Sequence, residues 1–588
     1  MPRRASAVWL VPLLALLPLL SAVGAQEAEQ ESSIRPVGGL TFVDEYELTI
    51  ANLVVYVTDK KGVAVTDLTQ DDFQVYQDGE PKQITNFKLY TADLIRSQME
   101  TGPQTMLPPA EPSPESAPEA EAGPVPIHFV LYIDNQNLNP LDRNRVLSQA
   151  REFVRTNLHP PAQMMVVAYQ RSFEVLQEFT SDPEKVLAAM RSVRRYTGGR
   201  SERERAAMDI IDRIKQLENQ GRSSGRSSGL DGAGAESHEA FTLIDNYAKE
   251  TTNDLMFTLD SLRQMLTSLS GLPGKKGIVY ISNGLPMVPG MELYHELNRV
   301  TQDSTFLTRM YDYDQSRLYL QLAAAANAQD VAFYTIDATG LSMGGLASAE
   351  FQTARDPSSA SFAHHNLIDS LRLLADETGG IAIVNSNDIA PRMELIAQDM
   401  YTYYSIGYPL QISGRDKVHK VKVELRDDPA FKDYELRYRT RFVEKSLETR
   451  VQNTVVSSLV FEVDDNPMQL DVEVGTPSAA SEKRWLVPTN ISFPIRKVAL
   501  LPEGEDYVGR VVLFIAARDT DGKQSDLVRQ EHEIRVPAAD YEEAQRSRRH
   551  IDASLLMESG RYKISVALLD PLTRQDSFKT ITAAVNPD

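Results

Sequence analysis

The stretch Ile127–Asp134, reading Ile-His-Phe-Val-Leu-Tyr-Ile-Asp, narrows what this chain can become more than any other. It is apolar and aromatic on consecutive positions, ends in a carboxylate and runs into the polar turn Asn135-Gln136-Asn137. It is too short to cross a membrane, and a strand without alternation is one buried on both faces, as parallel sheets require. A second run, Ile278-Val-Tyr-Ile-Ser282, ends the same way in Asn283-Gly284. In open parallel sheets, ligands sit beyond the carboxyl ends of the strands. If the two runs are neighbours, Asp134, Gln136, Ser282 and Asn283 crowd one such edge.

The rest of the chain divides around this centre. Arg3 and Arg4, an apolar run over 8–23 and the small residues Val23-Gly24-Ala25 read as a signal peptide over 1–25. An exported bacterial protein, periplasmic or extracellular, is therefore expected. The chain has no cysteine, which sets aside a disulfide-rich ectodomain and a lipid-bearing thiol. Residues 40–95 alternate as short strands and turns, a small β domain. Residues 97–125 are rich in Pro, Glu and Ala and read as an extended linker. From 126 to 400, buried-type strands alternate with helical stripes, the pattern of a doubly wound α/β domain. Within it, 220–236 is rich in Gly and Ser and reads as a flexible insertion. A β segment over 401–443 follows, expected to pair with the N-terminal β domain because each alone is small. Strands over 455–463, 485–493, 510–517 and 561–569 then predict an immunoglobulin-like β-sandwich over 454–588.

Familiar catalytic signatures fail when tested. His295-Glu296 and His532-Glu533 begin zinc-binding matches that end on Arg299 and Val536 instead of histidine. Gly274-Lys275 lacks the spacing of a phosphate loop, and Ser282 lacks the first glycine of a nucleophile elbow. His364-His365 is expected on a loop. The formal charge of −21, about −23 without the signal arginines, disfavours a nucleic-acid partner.

The central segment resembles a von Willebrand factor type A domain, through Ile127–Asp134 and the helix after it, Gly277-Ile-Val-Tyr-Ile-Ser-Asn-Gly284 and Tyr334-Thr-Ile-Asp337. With the flanking pieces 54–87 and 374–408 it is similar to exported bacterial VWFA-related proteins of the acidobacterial type, over about 40–440. The resemblance implies a divalent-ion site of the form Asp-x-Ser-x-Ser, a threonine and a later aspartate. Here Asp134 matches, Gln136 and Leu138 replace the serines, Asn283 replaces the aspartate, and Thr197–Ser201 stands for the threonine loop. The expected metal set, a degenerate adhesion site, is Asp134, Gln136, Ser201 and Asn283. The expected partner-binding edge is Asp134, Asn135, Asn137 and Asn283.

The expected function is a non-enzymatic interaction or scaffold protein that binds a protein partner through this edge without a cofactor. Its alternatives are adhesion dependent on Mg²⁺ or Mn²⁺, and a hydrolase with a site assembled from scattered residues. Partner identity and oligomeric state lie beyond the sequence.

Overall fold

A computed structural model describes residues 49–101, 125–223, 230–341, 357–410, 416–461, 463, 465–481 and 483–585. The expected signal peptide, residues 40–48, most of the expected linker and the centre of the expected Gly/Ser insertion lie outside these.

Ile127–Asp134 is a strand with all eight residues buried, at the middle of a six-stranded sheet. The order is Ala382–Ile383, Val331–Asp337, Lys275–Ser282, Ile127–Asp134, Ala162–Gln170 and Ser172–Thr180. Every pairing is parallel except the last, an antiparallel hairpin at the edge. Period-two alternation sends Phe129, Leu131 and Ile133 into one apolar layer with Val146, Val186 and Met393. Val130 and Tyr132 go to the other, with Leu259, Leu322 and Leu371. Two buried faces explain why the strand shows no polar alternation.

The segments on either side of this α/β body interleave. Thr49–Asp59 lies between Tyr403–Leu410 and Tyr434–Tyr438, with Asn86–Tyr90 beyond. Phe73–Gln77 pairs with Lys417–Leu425, flanked by Glu80–Lys82 and Arg441–Glu444. The two four-stranded sheets share one core of Leu53, Val55, Phe73, Val75, Ile406 and Val423. The β body is therefore discontinuous in sequence.

Four sequence expectations are corrected. The expected linker begins inside a helix, Ala92–Thr101, whose Ile95 is buried in the α/β core. The expected flexible insertion is helical at both ends, because Arg200–Ser223 and Leu230–Leu269 extend into it and pack on one another through Ile210, Ile214, Ala240 and Ile244. The expected strand over 455–463 begins in a helix instead, Leu447–Ser458. Ser446 caps it by accepting from the Thr449 amide at 3.2 Å. Val451, Val455 and Leu459 recur every four residues and bury against Val512, Phe514 and Phe578. Helical spacing prevailed over the β-branched composition. The pair His364-His365 likewise sits within the helix Pro357–Thr378, not on a loop.

Beyond that helix two antiparallel sheets share a core that includes Val487, Ile491, Phe493, Val511, Leu513 and Val566. One centres on Trp485–Pro494 and pairs it with Arg548–Met557; the other centres on Asp506–Asp519 and Gly560–Leu569. No helix among the described residues is long and apolar enough to cross a membrane.

Burial of cations where the α/β sheet begins gives a pH prediction. Burial pulls the ammonium pKa values of Lys275 and Lys276 down to about 7. The unfolded chain keeps both protons to about pH 10. Between pH 7 and that limit it binds more protons than the folded chain, so stability rises with pH. We expect the urea midpoint to rise from pH 7 to 9, with a slope below about 1.4 kcal/mol per pH unit per lysine. Lys276→Met should flatten that rise; an unchanged slope would show that Lys276 does not titrate in this window.

Candidate functional site

Alternation along Ile127–Asp134 decides where its terminal carboxylate goes. Asp134 shares the side of Val130 and Tyr132, so it turns under the helix Leu230–Leu269 and is 0% exposed. Asn137 donates from its backbone to Oδ1 at 3.2 Å and from its side chain to Oδ2 at 2.8 Å. Ser282 donates to Oδ2 at 3.2 Å, and the Tyr280 hydroxyl donates to the same oxygen. Burial pushes the Asp134 carboxyl above the usual carboxylate range, against the pull of these donors and of the Arg203 charge.

Asn283 is equally committed. Its side-chain oxygen accepts from the Asn139 amide at 2.8 Å, and its amide donates to Asp142 at 2.8 Å and Thr339 at 2.9 Å. It ties the Lys275–Ser282 strand to the start of the helix Pro140–Asn157. Asn135 accepts from Arg143 at 2.9 Å, and Arg143 also reaches the Tyr196 carbonyl at 2.9 Å.

The second cation comes from the helix Arg200–Ser223. Gly198-Gly199 brings it in: a Cβ on Gly198 would meet the Leu138 carbonyl at 2.2 Å, and one on Gly199 the Gln136 carbonyl at 2.8 Å. The Gly199 amide donates to the Asn135 carbonyl at 3.1 Å. Arg203 then donates from Nη2 to the Gln136 carbonyl at 3.1 Å and to the Asn137 side-chain oxygen. Arg200 donates to the Asn283 carbonyl at 2.8 Å and pairs with Glu204 at 2.7 Å.

Of the residues the sequence singles out, Asp134, Asn137 and Asn283 are brought together, linked by these bonds and by Asn283 N–H to the Asn137 carbonyl at 3.2 Å. Gln136 contributes its carbonyl to Arg203, whereas Ser201 makes no hydrogen bond to Asp134 or Asn283 among the described residues. The expected partner-binding edge is corrected: Asp134, Asn135, Asn137 and Asn283 are each no more than 2% exposed. They form the floor beneath the paired helices rather than a contact surface. Arg203, missed in the sequence, carries a legible signal. Arg200 and Arg203 occupy the start of a helix, where the macrodipole disfavours cations, so they need other partners.

A divalent ion does not fit this arrangement. Mg²⁺ takes hard oxygens in near-octahedral geometry with positions left for water or a partner. Both Asp134 oxygens and the Asn283 oxygen already accept protein hydrogen bonds, and a guanidinium holds the Asn137 oxygen. Among the described residues, no group of three or more His, Asp or Glu side chains is arranged to hold a metal.

Beside Arg203 lies a groove of about 670 Å³, bounded by Gln136, Arg171, Glu202, Tyr247, Glu250, Asp254 and Phe257.

No family model matches the chain, and no curated protein does. Solved structures similar to it include an aerotolerance-related membrane protein from Bacteroides fragilis, at 12% identity over 47% of this chain and 98% of that one, with TM-score 0.22. BatB from Bacteroides thetaiotaomicron is similar at 11% identity over 47% of this chain and 97% of that one, with TM-score 0.21. Three N-terminal domains of the type V pili tip protein Mfa5 from Porphyromonas gingivalis match at 10% identity over 76% of this chain and 75% of that one, with TM-score 0.22. At such scores these likenesses carry no argument about function.

Proposed function

We propose that this chain is an exported bacterial interaction or scaffold protein of von Willebrand factor type A-like architecture, with an immunoglobulin-like C-terminal sandwich. It acts without catalysis, and it binds a protein partner at the carboxyl edge of its parallel sheet without metal. The observation that supports this reading most is the state of Asp134: protein donors occupy both its oxygens, and Arg203 supplies the nearby positive charge. An edge whose charge is balanced by the chain itself has no use for a bound cation.

Thermal unfolding of the full chain tests it. A ligand that binds only the folded state raises the midpoint with concentration. We expect the same midpoint in EDTA as in millimolar Mg²⁺ or Mn²⁺. A saturable rise that Asp134→Asn abolishes would move the protein to metal-dependent adhesion.

A further inference from the structure

The strand Arg548–Met557 has a neighbour on one side only. It pairs over its 10 residues with Trp485–Pro494, and none of its backbone groups bonds elsewhere among the described residues. Backbone groups alternate sides along a strand, so half of these point outward without a partner, a template for another strand. Other edges of the two sheets are blunted. Val528–Pro537 carries Arg529, Glu531, Glu533 and Arg535 and ends on a proline. Across its own sheet from Arg548–Met557 stand only Asp471–Val474 and Ser478–Ala479, of 4 and 2 residues. Asp576–Val585 meets the Asp465 carbonyl, which accepts from the Phe578 amide at 2.8 Å. The open edge instead ends in an uncharged run, Ala553-Ser554-Leu555-Leu556-Met557, with Leu556 54% exposed.

We propose that Arg548–Met557 pairs antiparallel with the same strand of a second copy of this chain, joining the two sheets about a twofold axis. This surface is separate from the edge of the α/β body and does not depend on the reading given for it. Charge along the strand selects the occupant. Arg548 and Arg549 stand at its start and Glu558 just past its end, all exposed. Arg549 and Glu558 form no ion pair among the described residues. Arg548 is held by the Ser492 and Gln469 carbonyls, at 2.9 and 3.1 Å, and meets no carboxylate there. An antiparallel copy sets each cationic end beside the other's acidic end, whereas a parallel one sets like beside like. A twofold axis normal to the sheet also keeps the core-facing residues of both copies on one side. The register that uses the whole strand puts Ala553 opposite its own copy, Ile551 opposite Leu555 and Arg548 opposite Glu558. Asp552, which accepts from Asn490 at 2.8 Å, then falls opposite uncharged Ser554. Ile551, Ala553 and Leu555 belong to the core side of the sandwich, so the paired strands continue one apolar layer. Main-chain bonds supply the affinity of such an edge pairing, and side chains fix its register.

Sedimentation velocity of the full chain over a concentration series tests this, with the native chain expected to pass from monomer to dimer. Glu558→Lys sets a cation beside the arginines of the other copy, twice over by symmetry, and should weaken the dimer about tenfold. The chain has no cysteine, so Ala553→Cys introduces the only thiol, at the axis. Directly opposed Cβ atoms lie about 4.5–5.5 Å apart, within reach of a disulfide after a small shift. Mild oxidation should therefore link Ala553→Cys into covalent dimers, while Val528→Cys, on the neighbouring edge, stays monomeric on a non-reducing gel. If Ala553→Cys fails to fold, the concentration series and Glu558→Lys still decide. A native chain that is monomeric throughout overturns the proposal and leaves the edge to a strand of another protein. A dimer that Glu558→Lys leaves intact, or equal linking of the two thiol variants, places the contact elsewhere and overturns it as well.

Discussion

Asp399→Ala is expected to destabilise the chain by about 3–5 kcal/mol, because it strands buried positive charge. Asp399, 1% exposed, lies on the helix Ala390–Tyr401 of the α/β body. Arg437, from the strand Tyr434–Tyr438 of the β body, grips it with two bonds of 2.7 Å. Lys275 donates to the Asp399 carbonyl, and its ammonium lies 4.7 Å from the ring centre of Tyr56 and 4.3 Å from that of Tyr403. Arg437 also covers Tyr56, at 5.0 Å. The Asp399 carboxylate thus ties Arg437 of one body to the other, built from distant parts of the chain, while the Asp399 carbonyl takes up Lys275. Removing the carboxylate leaves the guanidinium desolvated, with the Gly380 carbonyl at 3.4 Å and the Tyr56 ring as its remaining partners among the described residues. The double variant Asp399→Ala/Arg437→Met should recover most of the loss, since neither charge is then orphaned. Urea unfolding of the four proteins measures the coupling; a loss below about 1 kcal/mol for Asp399→Ala would mean that water reaches the pair.

How much of this was legible in the residues follows from the range of the interactions. Ile127–Asp134 announced itself because a strand buried on both faces has no polar positions to disguise it. The hairpin Ala162–Gln170 with Ser172–Thr180 pairs strands adjacent in sequence, the range within which a local pattern can be read. Interleaving of the outer β segments could be expected only from their small size; the register, Leu53 opposite Ile406 for example, joins residues hundreds of positions apart. The helix Leu230–Leu269 was misjudged at its start, where Gly232 and Gly234 weaken helix propensity. Its C-terminal half buries Leu255, Leu259 and Leu262 on the sheet, while Ala240, Ile244 and Ala248 serve a second core with Leu293 and Tyr294. A helix anchored in two cores persists through a weak stretch, and no local window contains both anchors. The site suffered from the same limit. Residue types at the sheet edge were readable, but whether they faced solvent depended on that helix lying across them. Arg203, within Arg-Ser-Glu-Arg-Glu-Arg, has the composition of a solvated helix face, and its one legible mark is its place at a helix start.

Asp134→Ala should be the most damaging change at the sheet edge, again by about 3–5 kcal/mol. Alanine withdraws the acceptor of the Tyr280 and Ser282 hydroxyls and of both Asn137 donors in a region closed to water. Each buried donor left without a partner costs about 1–3 kcal/mol. Loss of the desolvated carboxylate itself offsets part of this, which keeps the total below the simple sum. Asp134→Asn keeps one acceptor oxygen but turns an amide toward a donor, so it should cost less, about 1–2 kcal/mol. The two variants also separate by pH. Burial raises the Asp134 pKa in the folded chain above that of the unfolded chain, so stability from this group is lost as pH rises through the folded value. The advantage of the native chain over Asp134→Asn should therefore be greatest in acid and shrink toward neutrality. Chemical unfolding at a series of pH values reads both effects. An advantage that grows with pH would mean that the donors and Arg203 outweigh the desolvation of Asp134.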